Sequence, residues 1–149
     1  MEKVEMNTSM KLSPHFTLGE LTKTKHVTAD GNIPSHVVIE NLKRLCPWLE
    51  ELRRRYNEPI IINSGYRSPA VNKLAGGSNT SNHLTGCAVD IRCVGKEQMI
   101  RYASILLDIA DGTKQDYDEL LLEQHGSVCW LHFAVRPQGN RRRIEFLKV

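Results

Sequence analysis

The sequence lacks any long apolar run, and this absence limits where the protein can act. None of its 149 residues belongs to a stretch able to span a bilayer. The first dozen residues are polar or charged and contain no apolar core of the kind found in a signal peptide. We therefore expect a chain made in the cytoplasm, without membrane association. If the substrate lies outside the cell, export or phage-type lysis must deliver the protein to it.

A strong charge of either sign is also missing. The formal net charge is only +3, which permits attraction to an anionic polymer such as the cell wall without requiring it. The basic residues are spread along the chain except for the run Arg141–Arg143, which we interpret as the solvated face of a C-terminal strand. We expect no nucleic-acid partner.

The cysteine pattern excludes several kinds of site. The four cysteines contain no Cys-x-x-Cys pair, which argues against structural zinc of the finger type. Cys87 and Cys129 lie in apolar, strand-like contexts, so we expect reduced thiols that are buried as small hydrophobic groups. The His-Glu-x-x-His motif is absent as well, which excludes a thermolysin-like site on a helix.

The remaining patterns predict a single α+β domain. Residues 1–12 are expected to form a flexible tail, and residues 13–149 the domain. Helical periodicity predicts a long helix from about 35 to 56, with Pro47 causing a kink or separating two helices. Helices precede strands along the chain, which favours a small, mostly antiparallel sheet with helices packed on it. The predicted strands are 59–63 as a buried central strand, 87–93, 117–123, 128–135 and 143–149; the other predicted helices are 69–74 and 96–109.

Local signals mark two shorter features. Thr17 and Glu20 have the spacing of a capping box, which predicts a short helical turn within residues 15–22. Gly65 permits a tight bend after the 59–63 strand, and Pro69 suits the first turn of the next helix.

Three residues have the chemistry of a metal site. Asp90 and His132 each lie between apolar residues in a predicted strand, where an unpaired charge would be costly. His83 lies in a loop of small polar residues. Two imidazoles and one carboxylate leave a fourth tetrahedral position open, as in a catalytic zinc site. The residues alone also permit a hydrogen-bonded polar cluster without metal.

Three sequence blocks carry a resemblance to a known family: Ser64-Gly-Tyr-Arg67-Ser68, then Ser81-x-His83-x-x-Gly86-x-Ala88-x-Asp90, then Trp130-x-His132. In this order they resemble the D-Ala-D-Ala carboxypeptidase family of zinc peptidases. That family includes phage L-alanyl-D-glutamate endopeptidases and shares its zinc-site architecture with the hedgehog signalling domain. The likeness covers about residues 12–135 and is closest to the short, single-domain branch.

The resemblance implies a role for each matching residue. His83, Asp90 and His132 would bind one Zn²⁺ ion. Arg67 would take part in catalysis and hold the substrate by a terminal carboxylate or the scissile carbonyl. Ser81 would bind substrate or orient the loop around His83. Trp130 is a candidate for lining the cleft, with core packing as the alternative.

The general base departs from the family pattern. Many members carry Glu three residues before the second histidine, and that position here is Cys129, a poor proton carrier for this role. The short branch has an Asp-x-x-x-x-Glu strand before the Trp-x-His strand, and Asp118 and Glu123 match it. Glu123 is therefore the predicted base, with a solvent-facing position as the alternative. His125 is a weaker candidate.

The sequence thus predicts a monomeric zinc metallopeptidase that hydrolyses peptidoglycan stem peptides or D-alanyl peptides. It leaves open whether the enzyme is a carboxypeptidase, a dipeptidase or an endopeptidase. The alternative is a zinc-stabilised module that binds cell wall or protein without catalysis, because Cys129 occupies the usual base position.

Overall fold

The computed structural model describes residues 7–149, which form two long helices packed on a five-stranded sheet and several shorter elements. The helices are α1 (Leu18–Leu21), α2 (His36–Tyr56), α3 (Pro69–Leu74) and α4 (Lys96–Thr113), with a 3₁₀ turn at Asn82–Thr85. The strands are β1 (Lys11–Ser13), β2 (Phe16–Thr17), β3 (Ile62–Ser64), β4 (Ala88–Cys93), β5 (Glu119–His125), β6 (Val128–Ala134) and β7 (Arg143–Lys148).

The five-stranded sheet has the order β3-β4-β6-β5-β7. All neighbouring strands are antiparallel except β5 and β7, which are parallel. The predicted α+β class with a mostly antiparallel sheet is confirmed. Strands β1 and β2 form a separate two-stranded ladder near the N-terminus. No helix among residues 7–149 combines the length and apolar character that crossing a bilayer requires.

The core lies between α2, α4 and one face of this sheet. Leu42, Leu45, Leu49 and Leu52 of α2 are fully buried, as their helical spacing predicted. Burial of each such side chain contributes about 1.5–3 kcal/mol relative to exposure. The α2 helix is continuous through Pro47, so the alternative of two helices is wrong. The stripe on both sides of Pro47 packs into the same core and holds the helix together there.

The strand predicted at 59–63 is not central. It begins at Ile62 and lies at the sheet edge, where it pairs with β4 only. Ile61 is 47% exposed, because one side of this edge faces solvent. The β-branched run indicated a strand correctly, but such a run does not reveal how many neighbours the strand has.

The capping box is confirmed at α1. The Thr17 side chain accepts a hydrogen bond from the Glu20 backbone N–H at 3.2 Å, and the Glu20 carboxylate accepts one from the Thr17 backbone N–H at 3.2 Å. The segment predicted as a tail, residues 1–12, includes the start of the first strand. β1 begins at Lys11, and the backbone of Thr8 accepts a hydrogen bond from Gly19. Residues 1–6 of that tail lie outside the described residues.

Strand parity separates the core face of the sheet from its other face. Successive side chains of a strand point to opposite sides. In β4, β5 and β6 the core members are Val89, Ile91, Cys93, Leu120, Leu122, Cys129, Leu131 and Phe133. The alternate positions therefore face away from α2 and α4, and they include Asp90, Glu119, Glu123 and His132.

Candidate metal centre

The structure brings the three predicted metal ligands together on the face away from the core. The Oδ1 atom of Asp90 lies 3.3 Å from Nε2 of His83 and 3.2 Å from Nδ1 of His132. One ligand atom from each residue lies within 4.8 Å of the others, and all three residues are buried. Asp90 and His132 are direct cross-strand partners in β4 and β6, so the sheet register fixes their approach.

The orientation of His83 is set by the turn that follows β3. Its Nδ1 lies 2.6 Å from the carbonyl oxygen of Gly65. A carbonyl can only accept, so Nδ1 carries the proton and Nε2 presents its lone pair to the site. The backbone N–H of Arg67 donates to the His83 carbonyl at 3.0 Å. Ser81 caps the 3₁₀ turn by accepting from the His83 N–H at 3.1 Å.

The orientation of His132 depends on a residue that the sequence analysis missed. Its Nε2 lies 2.9 Å from Oε1 of Glu119, and Asn82 donates to the same oxygen at 2.7 Å. The carboxylate therefore directs Nδ1 of His132 toward Asp90. A carboxylate on the second nitrogen of a histidine is a common support for a metal ligand. One sequence signal could have revealed Glu119. It is separated from Glu123 by an even number of positions in a predicted strand, so both side chains lie on the same face.

Asp90 is held by an arginine as well as by the histidines. Arg67 donates from Nη2 to Oδ2 of Asp90 at 3.2 Å and from Nε to Ser64 Oγ at 3.1 Å. Oδ2 is thus occupied, and Oδ1 is the oxygen that faces both imidazoles. Burial opposes ionisation, but the two histidines hold the pKa of Asp90 well below its usual range.

The two carboxylates also act on His132. Burial opposes its positive charge, but hydrogen bonds from its ring to Asp90 and Glu119 raise the pKa of His132 to about 9. Burial likewise opposes ionisation of Glu119, but its contact with His132 lowers the pKa of Glu119 to about 2. This strong electrostatic coupling is typical of functional sites.

Glu123, the predicted base, lines a cavity together with the three candidate ligands. A cavity of about 550 Å³, which we call the central cavity, is lined by His83, Asp90, His132 and Glu123. Burial and the nearby negative charge of Asp90 raise the pKa of Glu123. A carboxylate with a raised pKa and access to the cavity suits proton transfer.

Trp130 contacts Glu123 directly. Its indole N–H donates to Oε2 of Glu123 at 2.9 Å, across the register pair that joins β6 and β5. Trp130 is absent from the lining of the central cavity and from the hydrophobic core, the two positions that the sequence left open for it. The structure gives it a contact with the candidate base.

The other candidate bases lie elsewhere. Cys129 is three positions from His132, so strand parity places it on the core side, where it is buried opposite Cys93. The imidazole of His125 is exposed, and its Nδ1 lies 2.6 Å from the carbonyl oxygen of Val149. Neither residue lines the central cavity.

Arginines after β6 enclose the other side of the central cavity. Asp118 is fully buried and lies 3.2 Å from Nε of Arg136 and 2.8 Å from Nη2 of Arg141. Arg143 donates to Oε2 of Glu119 at 3.0 Å. The 141–143 run was predicted as a solvated strand face. Only Arg143 lies in β7, and Arg141 and Arg143 both line the cavity and support its carboxylates.

The donor set fits zinc. Two imidazole nitrogens and one carboxylate oxygen converge from a 3₁₀ turn and two paired strands, and each ligand has a second contact that orients it.

A model of the family described as Peptidase M15 matches residues 14–117. The chain belongs to the peptidase M15 family. Peptidases of this family depend on zinc, and the recognised resemblance is confirmed.

The extent of the M15 match defines what the family supports directly. Residues 14–117 include Arg67, His83 and Asp90, whereas Glu119, Glu123 and His132 follow the match. The third ligand and the candidate base of this M15 chain therefore rest on the geometry of β5 and β6. No curated protein sequence matches the chain.

Proposed function

We propose that the protein is a zinc-dependent peptidase that hydrolyses peptide bonds in peptidoglycan stem peptides or D-alanyl peptides. The observation that carries this proposal is the convergence of His83 Nε2, Asp90 Oδ1 and His132 Nδ1 beside Glu123 in one cavity. Membership of the M15 family supports peptidase activity. The peptidoglycan substrate is part of the proposal, as is action on the cell wall after export or phage-type lysis.

His83, Asp90 and His132 would hold one zinc ion. Bound there, zinc would supply Lewis acidity and a water of lowered pKa. Glu119 and Gly65 keep the two imidazoles oriented by occupying their other nitrogens. Ser81 holds the backbone of the turn that carries His83.

Glu123 is the proposed proton carrier. Trp130 occupies its Oε2, which leaves Oε1 to take a proton from the attacking water and to pass it to the leaving amine. The pKa of Glu123 is raised toward neutral pH. A carboxyl group with such a pKa can both accept and release a proton during the reaction.

Arg67 would contact both the substrate and the candidate metal ligand Asp90. Its Nη2 and Nε are used by Asp90 and Ser64. Nη1 remains for an oxygen of the substrate, either a carboxylate or the scissile carbonyl. Arg67 would therefore position Asp90 and the substrate at once.

The alternative of a binding module without catalysis rested on Cys129. Strand parity removes Cys129 from the site, and Glu123 lines the cavity, so the position of Cys129 no longer favours that alternative. A metal-free polar cluster is the remaining rival, because the same atoms lie close enough for hydrogen bonds.

One experiment separates these functions. Zinc content is measured on purified protein, together with the release of new amino groups from purified peptidoglycan, with and without a chelator. About one zinc per chain with chelator-sensitive release supports the peptidase, and mass spectrometry of the fragments then identifies the bond. Zinc without release on any wall fragment would favour the binding module, and protein that binds no zinc would favour the polar cluster. His83→Ala should lose both zinc and release, whereas His125→Ala should keep both.

A further inference from the structure

One side chain connects the turn that carries His83 with the carboxylates at the start of β5. Asn82 lies in the 3₁₀ turn directly before His83 and is buried, with only 6% of its surface exposed. Its amide nitrogen Nδ2 donates to Oε1 of Glu119 at 2.7 Å and to Oδ2 of Asp118 at 2.8 Å. The two candidate histidine ligands are therefore linked through Asn82 and Glu119.

The partners of the Asn82 amide fix its orientation. Ionised carboxylates only accept hydrogen bonds, so the NH₂ group must face Asp118 and Glu119. The amide oxygen then accepts from Nε of Arg136 at 3.0 Å. The backbone carbonyl of Asn82 accepts from the Cys87 N–H at 2.9 Å. Both the side chain and the backbone of this residue are thus held, and a fully paired buried polar group is rigid.

The oxygen that Asn82 contacts is the one that orients His132. Oε1 of Glu119 lies 2.9 Å from Nε2 of His132 and also accepts from Asn82. The other oxygen, Oε2, accepts from Arg143, whose side chain is 44% exposed. Asn82 is the better buried of these two donors. Its loss would loosen the carboxylate at the oxygen that His132 uses.

We infer that Asn82 is a positioning residue of the candidate metal centre, which acts through Glu119 to fix the His132 ring for zinc. The inference rests on the proposed function, since the zinc site is what the orientation of His132 would serve. Asn82 adds no ligand of its own, because Arg136 uses its amide oxygen. Its effect on the metal should therefore pass through Glu119.

Zinc competition with a chromophoric chelator tests this role on the full chain. Asn82→Ala should raise the zinc Kd by roughly fivefold or more, because residues that orient a metal ligand typically contribute 10–100-fold and Asn82 lies one contact further away. Asn41→Ala is the matched control. Asn41 is also buried, and its amide donates to the Thr85 carbonyl in the same 3₁₀ turn at 2.8 Å. It supports the turn without touching Glu119, so its loss should leave the Kd within about twofold.

A double-mutant cycle separates action through Glu119 from a general effect on the turn. In a chain that already carries Glu119→Ala, adding Asn82→Ala should have almost no further effect on the zinc Kd. The small effect of Asn41→Ala should be the same in both backgrounds. Independent effects of Asn82→Ala and Glu119→Ala, which multiply in the double variant, would overturn the inference.

Cobalt provides a readout that a loss of stability alone does not change. The visible spectrum of Co²⁺ bound in place of zinc depends on the ligands and their geometry. Asn82→Ala and Glu119→Ala should alter this spectrum in the same way, whereas Asn41→Ala should keep the wild-type spectrum. A wild-type spectrum in Asn82→Ala would contradict the inference. If Asn82→Ala does not fold, Asn82→Ser repeats both measurements, because its hydroxyl lies one bond nearer the backbone than the amide nitrogen.

Failure of the proposed function has a different signature, which the wild-type chain shows. Wild-type protein that binds no zinc would overturn both proposals. Zinc binding without release of amino groups from peptidoglycan would overturn the peptidase alone. An active wild-type enzyme together with an unchanged zinc Kd in Asn82→Ala would overturn the positioning role alone.

Discussion

The Nε2 atom of His132 lies 2.9 Å from Oε1 of Glu119, and this contact decides which nitrogen of His132 faces the candidate metal centre. Nδ1 is left to lie 3.2 Å from Asp90. The sequence predicts His132 as a ligand, but the carboxylate that orients it is brought there by the pairing of β5 with β6.

Replacing Glu119 should weaken zinc binding. We expect Glu119→Ala to raise the zinc Kd by roughly 10–100-fold, because the imidazole loses its orienting acceptor. Glu119→Gln should lose less, since its amide oxygen can still accept from Nε2. Competition with a chromophoric chelator measures both, with the exposed Glu97→Gln as control. An unchanged Kd for the alanine variant would show that Glu119 does not support the ligand.

Replacing Glu123 should separate catalysis from metal binding. Glu123→Gln should keep one zinc per chain but lower kcat by about 10²–10⁴-fold, because the amide cannot take up the proton. Metal analysis and peptide hydrolysis test this together. Full activity in this variant would transfer the base role to another group.

The Trp130 contact makes a separate prediction about pH. Burial raises the pKa of Glu123, whereas the indole N–H stabilises its carboxylate and lowers that pKa. Trp130→Phe removes the donor, so the pKa should rise further and the acidic limb of kcat/KM should move to higher pH. A limb that stays in place or moves to lower pH would contradict this role.

Zinc must compete with a proton on His132. In the metal-free protein the carboxylates of Asp90 and Glu119 raise its pKa to about 9 against the burial that opposes charge. Zinc binding at pH 7 should therefore release a proton, and affinity should increase by up to about tenfold per pH unit below pH 9. Isothermal titration calorimetry in buffers of different ionisation enthalpy counts that proton. No release at pH 7 would show that His132 is neutral there.

The same shift predicts how the metal-free protein responds to pH. The folded-state pKa of His132 lies above its ordinary value of 6.5, so its stabilising contribution is complete below pH 6.5 and is lost as pH rises through about 9. The midpoint of urea unfolding should fall over this window. Zinc-loaded protein should not show the same loss, because its imidazole is already deprotonated.

Gly65 lies against the backbone of Leu21, and its carbonyl oxygen contacts the ring of the candidate ligand His83. A Cβ there would lie 2.2 Å from the Leu21 carbonyl oxygen, so Gly65→Ala must push the two segments apart. This should disturb the Gly65–His83 hydrogen bond, lower Tm and weaken zinc binding. Gly112→Ala is the matched control: its Cβ meets nothing within 4 Å, and alanine in a helix is more favourable than glycine by about 0.5–1 kcal/mol. Thermal unfolding with and without zinc distinguishes the two.

The elements with strong local signals could be predicted closely. Periodicity located α2 and α4, and the Thr17–Glu20 pair located the start of α1. The edge position of β3 could not be predicted, because a strand's neighbours are chosen by long-range pairing that a short apolar run does not encode. Helix α2 continues past Pro47 for a similar reason, since its apolar stripe is buried on both sides of the proline.

The sequence by itself determined the family and the α+β class, and it predicted His83, Asp90 and His132 as metal ligands, because fixed motif spacing and hydrophobic periodicity are local properties of the chain. Tertiary structure alone decided which atoms face one another. Sheet register placed Asp90 opposite His132 and put Cys129 on the core side, and folding of distant segments brought Gly65 and Glu119 to the site. These relationships depend on contacts between residues far apart in sequence, which no local pattern specifies.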